Sequence, residues 1–186
     1  MKKLTALFLA CMTFIFALTS CGNADAEVPD GMKRIENDKN TYALFVPEDW
    51  IVDITDGEGT SKAYASDKSN ISLMIMDWDG SYSSIQEFCD TFYSTITSTF
   101  KEVSEREMYS ENQYLGTIGE NGEPVLKYVY TIVSDSAMTE EVETYKIMQI
   151  FGYHGGNIYI FTYTARDVLY DTHLEEVYDI VDNFIA

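Results

Sequence analysis

From residue 42 onward the chain alternates short apolar runs with polar breaks, the mark of strands, and two stretches carry helical spacing instead. Residues 42–46 (YALFV) and 50–54 are strand-like and flank a turn at Pro47-Glu48-Asp49. Residues 56–61 (DGEGTS) form another turn, followed by a short strand at 62–65. A stronger strand at 71–78 (ISLMIMDW) is stopped by Asp79-Gly80-Ser81. Between 84 and 104, Ile85, Phe88, Cys89, Phe92, Tyr93, Ile96, Phe100 and Val103 recur three and four apart, as one buried helix face requires. Ser83 or Ser84 is the expected N-cap, with Gln86 and Glu87 in the first turn.

Strand patterns return at 107–111, 113–118, 124–135, 141–153 and 157–166. Gly155-Gly156 supplies the positive φ that a tight hairpin needs, which makes the last two strands antiparallel neighbours. A second helix is expected over 169–184, with Leu174, Val177, Tyr178, Val181 and Ile185 on one face. In the strand 157–166, Tyr159, Phe161 and Tyr163 point one way while Ile158 and Ile160 point the other. A sheet with one wet face would alternate apolar with polar, so both faces of this one are covered. The expected fold class is α+β, an antiparallel sheet flanked by helices, in a single domain over residues 41–186 without internal repeats.

Composition fits that reading. The chain has 186 residues, 46% of them hydrophobic and 14% aromatic, enough to bury one real core. The charge changes the picture more. The formal net is −19, and without residues 1–20, which hold Lys2 and Lys3 and no acid, it becomes −21. Such a domain is repelled by nucleic-acid phosphates and anionic headgroups, so nucleic acid is excluded as a partner. Cationic partners or divalent metals are favoured.

Residues 1–21 read MKKLTALFLACMTFIFALTSC. Lys2 and Lys3 precede an uncharged run from Leu4 to Leu18, too short to cross a hydrocarbon core of about 30 Å comfortably but suited to a signal peptide. The sequence Leu18-Thr19-Ser20-Cys21 that follows resembles the bacterial lipoprotein signal. The resemblance implies cleavage before Cys21 and a diacylglyceryl group on its thiol, anchoring the protein to the extracytoplasmic face of the cell membrane. Cys11, after Phe8-Leu9-Ala10, is a poorer candidate because the apolar run before it is too short. A conventional signal peptide with an incidental cysteine is the alternative. Residues 21–40 then read as the lipidated cysteine and a flexible tether reaching about 20–25 Å as a random coil. With Cys11 removed and Cys21 acylated, Cys89 is the remaining thiol and no intramolecular disulfide is expected.

The run Tyr42-Ala43-Leu44-Phe45-Val46-Pro47-Glu48-Asp49-Trp50, together with the closing NIYIFTYTA stretch and the helix ending Val181-Asp182-Asn183-Phe184, resembles the PsbP-like fold. Its members include a photosystem extrinsic subunit, a Ran-binding nuclear import factor and DcrB-type bacterial lipoproteins. Over residues 40–186 the resemblance implies an α/β/α sandwich and a non-enzymatic accessory or binding domain. It brings no catalytic residues with it.

Candidate chemistry is sparse. His154 and His173 have no second histidine or cysteine at zinc spacing and read as hairpin-end or solvated. Cys89, on an apolar helix face, reads as a small buried hydrophobe rather than a nucleophile. No G-x-S-x-G, P-loop, G-x-G-x-x-G or H-E-x-x-H occurs. Asp77-Trp78-Asp79-Gly80 and Asp53…Asp56-Gly57-Glu58 lack the ligand spacing of an EF-hand and read as turns; calcium rests on the net charge alone. Most of the 14 tyrosines are what strands favour. Tyr109, Tyr114, Tyr153 and Tyr170 fall at element ends and are the candidate partner or ligand surface. The leading expectation is a lipid-anchored, non-enzymatic binding protein with a membrane-associated protein partner and no cofactor. The alternative is a surface receptor for a small ligand or a divalent metal, and a hydrolase ranks last.

Overall fold

A first strand lies where the sequence suggests tether: β1 (Met32–Ile35) pairs antiparallel with β2 (Leu44–Pro47), from Met32 opposite Pro47 to Ile35 opposite Leu44. Ile35 is buried in the core, and the Lys33 ammonium donates to the carbonyls of Glu48 and Trp50. Four residues with only Met32 and Ile35 apolar are too few for alternation to be read from sequence. The computed structural model describes residues 26–35, 42–53, 60–100, 102–104, 106–109, 113–119, 123–134 and 142–186. The expected signal segment with Leu18, Thr19, Ser20 and Cys21 lies outside them, as does Asp56-Gly57-Glu58.

The chain continues through β3 (Ile51–Asp53), β4 (Thr60–Tyr64) and β5 (Asn70–Asp77), a meander of consecutive antiparallel neighbours. Helix α1 (Ile85–Thr99) starts at Ser84, whose hydroxyl accepts the Glu87 N–H while the Glu87 carboxylate accepts the Ser83 N–H at 2.8 Å. The helix ends about five residues before the expected boundary. Residues 102–103 instead form β6 (Glu102–Val103), laddered to the far end of β8. Phe100 and Val103 still pack under the helix, so their apolar spacing reports burial without reporting helix.

The remaining strands are β7 (Glu107–Tyr109), β8 (Val125–Val133), β9 (Thr144–His154) and β10 (Asn157–Arg166). Gly155 and Gly156, at φ of +58° and +83°, make the expected two-residue hairpin between His154 and Asn157. Residues 113–118, expected as a strand, form a turn closed by an antiparallel bridge between Leu115 and Ile118. The second helix is divided: a 3₁₀ segment (Asp167–Thr172) runs to His173, and α2 (Leu174–Asp182) follows.

Among the described residues the main sheet runs β3-β4-β5-β10-β9-β8-β6, with β7 also on β8, and every pairing is antiparallel. Both faces are covered, as the double-sided apolar pattern requires. One carries α1 over Leu126, Tyr128, Phe151, Ile158 and Ile160. The other carries the β1–β2 hairpin, the 115–118 turn and α2 over Ile71, Leu73, Ile150, Tyr159 and Phe161.

The chain end is clamped against that second layer. Ala43 and Ile185 exchange backbone hydrogen bonds of 2.8 and 3.0 Å, and the Thr117 N–H donates to the Phe184 carbonyl at 3.1 Å. Gly116, at φ +54°, lies so close that a Cβ built on it would stand 1.6 Å from that carbonyl oxygen.

Candidate functional site

Pairing of β7 with β8 sets Tyr109 opposite Lys127, on the sheet face that carries α2. The Lys127 ammonium lies 4.8 Å from the Tyr109 ring centroid and 5.5 Å from that of Tyr178 on α2. A cation so placed is drawn to the negative face of each ring. The Tyr109 hydroxyl donates to the Glu107 carboxylate at 2.7 Å, and this bond raises its pKa above the ordinary phenol value. Tyr114, in the stretch leading into the 115–118 turn, donates likewise to Asp182, which raises its pKa as well. Tyr178 shares the Lys127 ammonium with Tyr109 and stands one helical turn from Asp182, the partner of Tyr114. Three elements thus bring Tyr109, Tyr114 and Tyr178 to one rim, at 39%, 48% and 39% exposure.

Of the other two expected surface tyrosines, Tyr170 is buried close to this rim and Tyr153 lies on the opposite face of the sheet. Tyr170 is a correction: it is 4% exposed, with its ring 5.1 Å from that of Tyr163 and its carbonyl accepting the Tyr163 hydroxyl. Burial raises its pKa, and the Lys146 ammonium stands 4.5 Å from its ring. Its place at an element end misleads because the 3₁₀ segment folds back onto β9 and β10. Tyr153 is half-buried on the opposite face, edge-on to Trp78 in the aromatic cluster under α1. Tyr178 is the residue that sequence reasoning assigns to the buried stripe. The buried positions of α2 are Val177, Ile180 and Val181, and Phe184 follows them; the i, i+3, i+4, i+7 pattern among these four leaves Tyr178 on the shoulder of the stripe.

A second aromatic seat lies under α1. The Arg106 guanidinium carbon is 4.5 Å from the Tyr93 centroid and 4.4 Å from that of Tyr128, and its nitrogen donates to the Asp90 carboxylate. That hydrogen bond holds the Asp90 pKa below the usual range.

Cys89 is fully buried beside this seat, and burial pushes its thiol up to about 12 despite the nearby Arg106 charge. A nucleophile needs the opposite shift. Iodoacetamide is therefore expected to leave the Cys89 peptide unlabelled in the native protein at about pH 8 and to label it after denaturation. Fast native labelling, read by mass spectrometry, would show an accessible thiolate and refute this.

His154 is part exposed, with Nδ1 3.1 Å from the Glu123 carboxylate, at the hairpin end as expected. His173 is not solvated. Its Nδ1 lies 2.6 Å from Glu176, its Nε2 lies 3.3 Å from Asp67, and its ring meets Trp50 edge-on. Asp79 accepts the Ser81 N–H at 2.8 Å in the turn that ends β5. Among the described residues no three His, Cys, Asp or Glu side chains group as a metal site, and no helix is long and apolar enough to cross a membrane.

No protein-family model matches the chain, and no curated protein matches it significantly. Solved structures do. The solution structure of cyanobacterial PsbP from Synechocystis aligns with a TM-score of 0.55 at 16% identity, over 91% of this chain and 99% of that one. The Saccharomyces cerevisiae Ran-binding protein Mog1p aligns with a TM-score of 0.55 at 10% identity, over 82% and 94%. A Pseudomonas aeruginosa protein of unknown function, described as a putative regulator, gives 0.52 at 11% identity, over 81% and 94%. At these identities the likeness is one of fold: the chain has the α+β architecture of cyanobacterial PsbP and Mog1p, an antiparallel sheet with helices packed on it.

Proposed function

We propose that the protein is a lipid-anchored, extracytoplasmic, non-enzymatic binding module that presents the Tyr109–Tyr114–Tyr178 rim to a membrane-associated protein partner. The gathering of three half-exposed tyrosines from separate elements carries this reading. Single exposed apolar side chains need no explanation, whereas a converged set marks an interaction surface. Tyrosine is also the side chain that gives rigid contact area with a polar tip. A protein of the same fold, Mog1p, is a Ran-binding protein, so this architecture serves protein recognition in at least one case.

The anchor rests on the Lys2–Cys21 signal, with Cys21 as the acylated residue. Because Met32 already belongs to the fold, only residues 22–31 separate the anchor from the domain. A segment of that length spans at most about 36 Å fully extended, which keeps the rim close to proteins of the same membrane.

The test is mild crosslinking and affinity purification from the protein's own membranes, beside Cys21→Ala and the double variant Tyr109→Ala/Tyr178→Ala. A stoichiometric partner that is lost with either variant is the expected result. A clean preparation without a partner, or a partner that the double tyrosine variant still holds, overturns the proposal.

A further inference from the structure

We propose that the segment received by the tyrosine rim is cationic and carries arginine; this rests on the binding reading above and specifies its ligand chemistry. The carboxylates of Glu107 and Asp182 accept the hydroxyls of Tyr109 and Tyr114 within the rim itself. On α2, Glu175 and Asp182 stand three residues before and four after Tyr178, so helical geometry puts one on each side of it. Both are exposed, and Lys127 sets one positive charge against them. An uncharged partner closing over this rim would strip water from these carboxylates without replacing it. A second copy of the chain would bring the same strongly negative charge, and an anionic lipid surface is repelled for the same reason. A cationic segment has neither problem.

The molecule builds the same kind of seat internally. Arg106 lies between Tyr93 and Tyr128 with Asp90 as its acceptor. Two tyrosine rings and a carboxylate thus surround a guanidinium at this seat, as the rings of Tyr109 and Tyr178 flank the Lys127 ammonium at the rim. The rim holds the same residue types in Tyr178, Tyr114 and Asp182, and its rings keep area open to solvent, with the Lys127 ammonium at one side of Tyr178. Arginine suits it better than lysine. Its planar head stacks on a ring while its N–H fork meets a carboxylate, whereas an ammonium is a hydrated point charge.

The probe is a fluorescein-labelled (Gly-Arg)4 peptide, titrated by fluorescence anisotropy with the full chain in non-ionic detergent, beside (Gly-Lys)4 of equal charge. The arginine peptide is expected to bind more tightly than the lysine peptide. The double variant Tyr114→Ala/Tyr178→Ala is expected to weaken it about tenfold. Asp182→Asn is expected to weaken it too. Glu102→Gln removes equal charge beside Val133, about 20 Å along β8 from Lys127, and is expected to leave binding unchanged. Unchanged melting of the variants shows that they fold. Equal binding of the two peptides, or binding that survives the tyrosine double variant, overturns the inference and reduces it to general acidity. If crosslinking captures a partner through the tyrosines but (Gly-Arg)4 does not compete with it, this inference fails while the binding module stands. If no partner is captured, the binding module fails instead.

Discussion

Gly116→Ala is expected to lower stability by about 3–5 kcal/mol, the scale of losing a buried phenylalanine. For a domain of this size that is a fall in Tm of roughly 10–15 °C. The cause is a collision with backbone. A Cβ at Gly116 would stand 1.6 Å from the Phe184 carbonyl oxygen and 2.4 Å from its carbon, and neither atom can rotate away. To make room, the chain end must move, releasing the hydrogen bonds of Thr117 with Phe184 and of Ala43 with Ile185. Phe184 moves with it. That ring is 1% exposed and lies 6.1 Å from Tyr42 and 5.8 Å from Tyr159. Gly155→Ala is the control. It has a similar positive φ, yet no atom lies within 4 Å of its Cβ position, so only backbone strain of about 1–2 kcal/mol is expected. Thermal and urea melts of the two variants decide the matter. If both lose the same stability, the collision has no role and only the left-handed backbone counts.

Trp50→Ala is expected to cost about 3–5 kcal/mol, seen as a lower urea midpoint with an unchanged slope. Trp50 is 1% exposed and follows the turn after β2. Its indole meets His173 edge-on at 5.6 Å, and its carbonyl receives the Lys33 ammonium. His173 in turn lies between Asp67 and Glu176, so the indole backs the junction at which the 3₁₀ segment gives way to α2. Truncation leaves a cavity bordered by backbone that is hydrogen-bonded elsewhere and collapses only partly. Trp50→Phe, which fills most of the space, is expected to lose less than half as much. A loss under about 1 kcal/mol for the alanine variant would show that the site relaxes freely.

Much of this architecture is legible from residue order. The long late strands carry enough alternation to place them, and two glycines fix their hairpin. What sequence misses is set by distant partners. The MKRI strand exists because β2 offers it a ladder and the core accepts Ile35. α1 stops at Thr99 because the next residues find a ladder on β8. The second helix divides at His173, whose ring is engaged by Asp67 across more than a hundred residues of chain. Residues 113–118 look like a strand because Leu115 and Ile118 are apolar, but these two bridge to each other around a glycine in the left-handed region. At the site, Tyr109 and Tyr114 are visible as element ends. Tyr178 is hidden by an apolar stripe read one position too wide, and Tyr170 is misjudged because its exposure depends on a tertiary fold-back. Local chemistry was readable; which side chains meet was not.

The sheet order also sets a timetable. Strands β3 to β5 pair in sequence, and so do β8 to β10, so each meander can form from nearby chain. They meet only where residues 70–77 pair with residues 157–164, a seam that encloses α1, the short edge strands and the 115–118 turn within one large loop. Closing that loop spends chain entropy before any contact across the seam repays it. The docking of the two meanders is therefore expected to be the slow step of folding, and truncations of side chains along the seam are expected, in stopped-flow refolding and unfolding, to slow folding more than they speed unfolding.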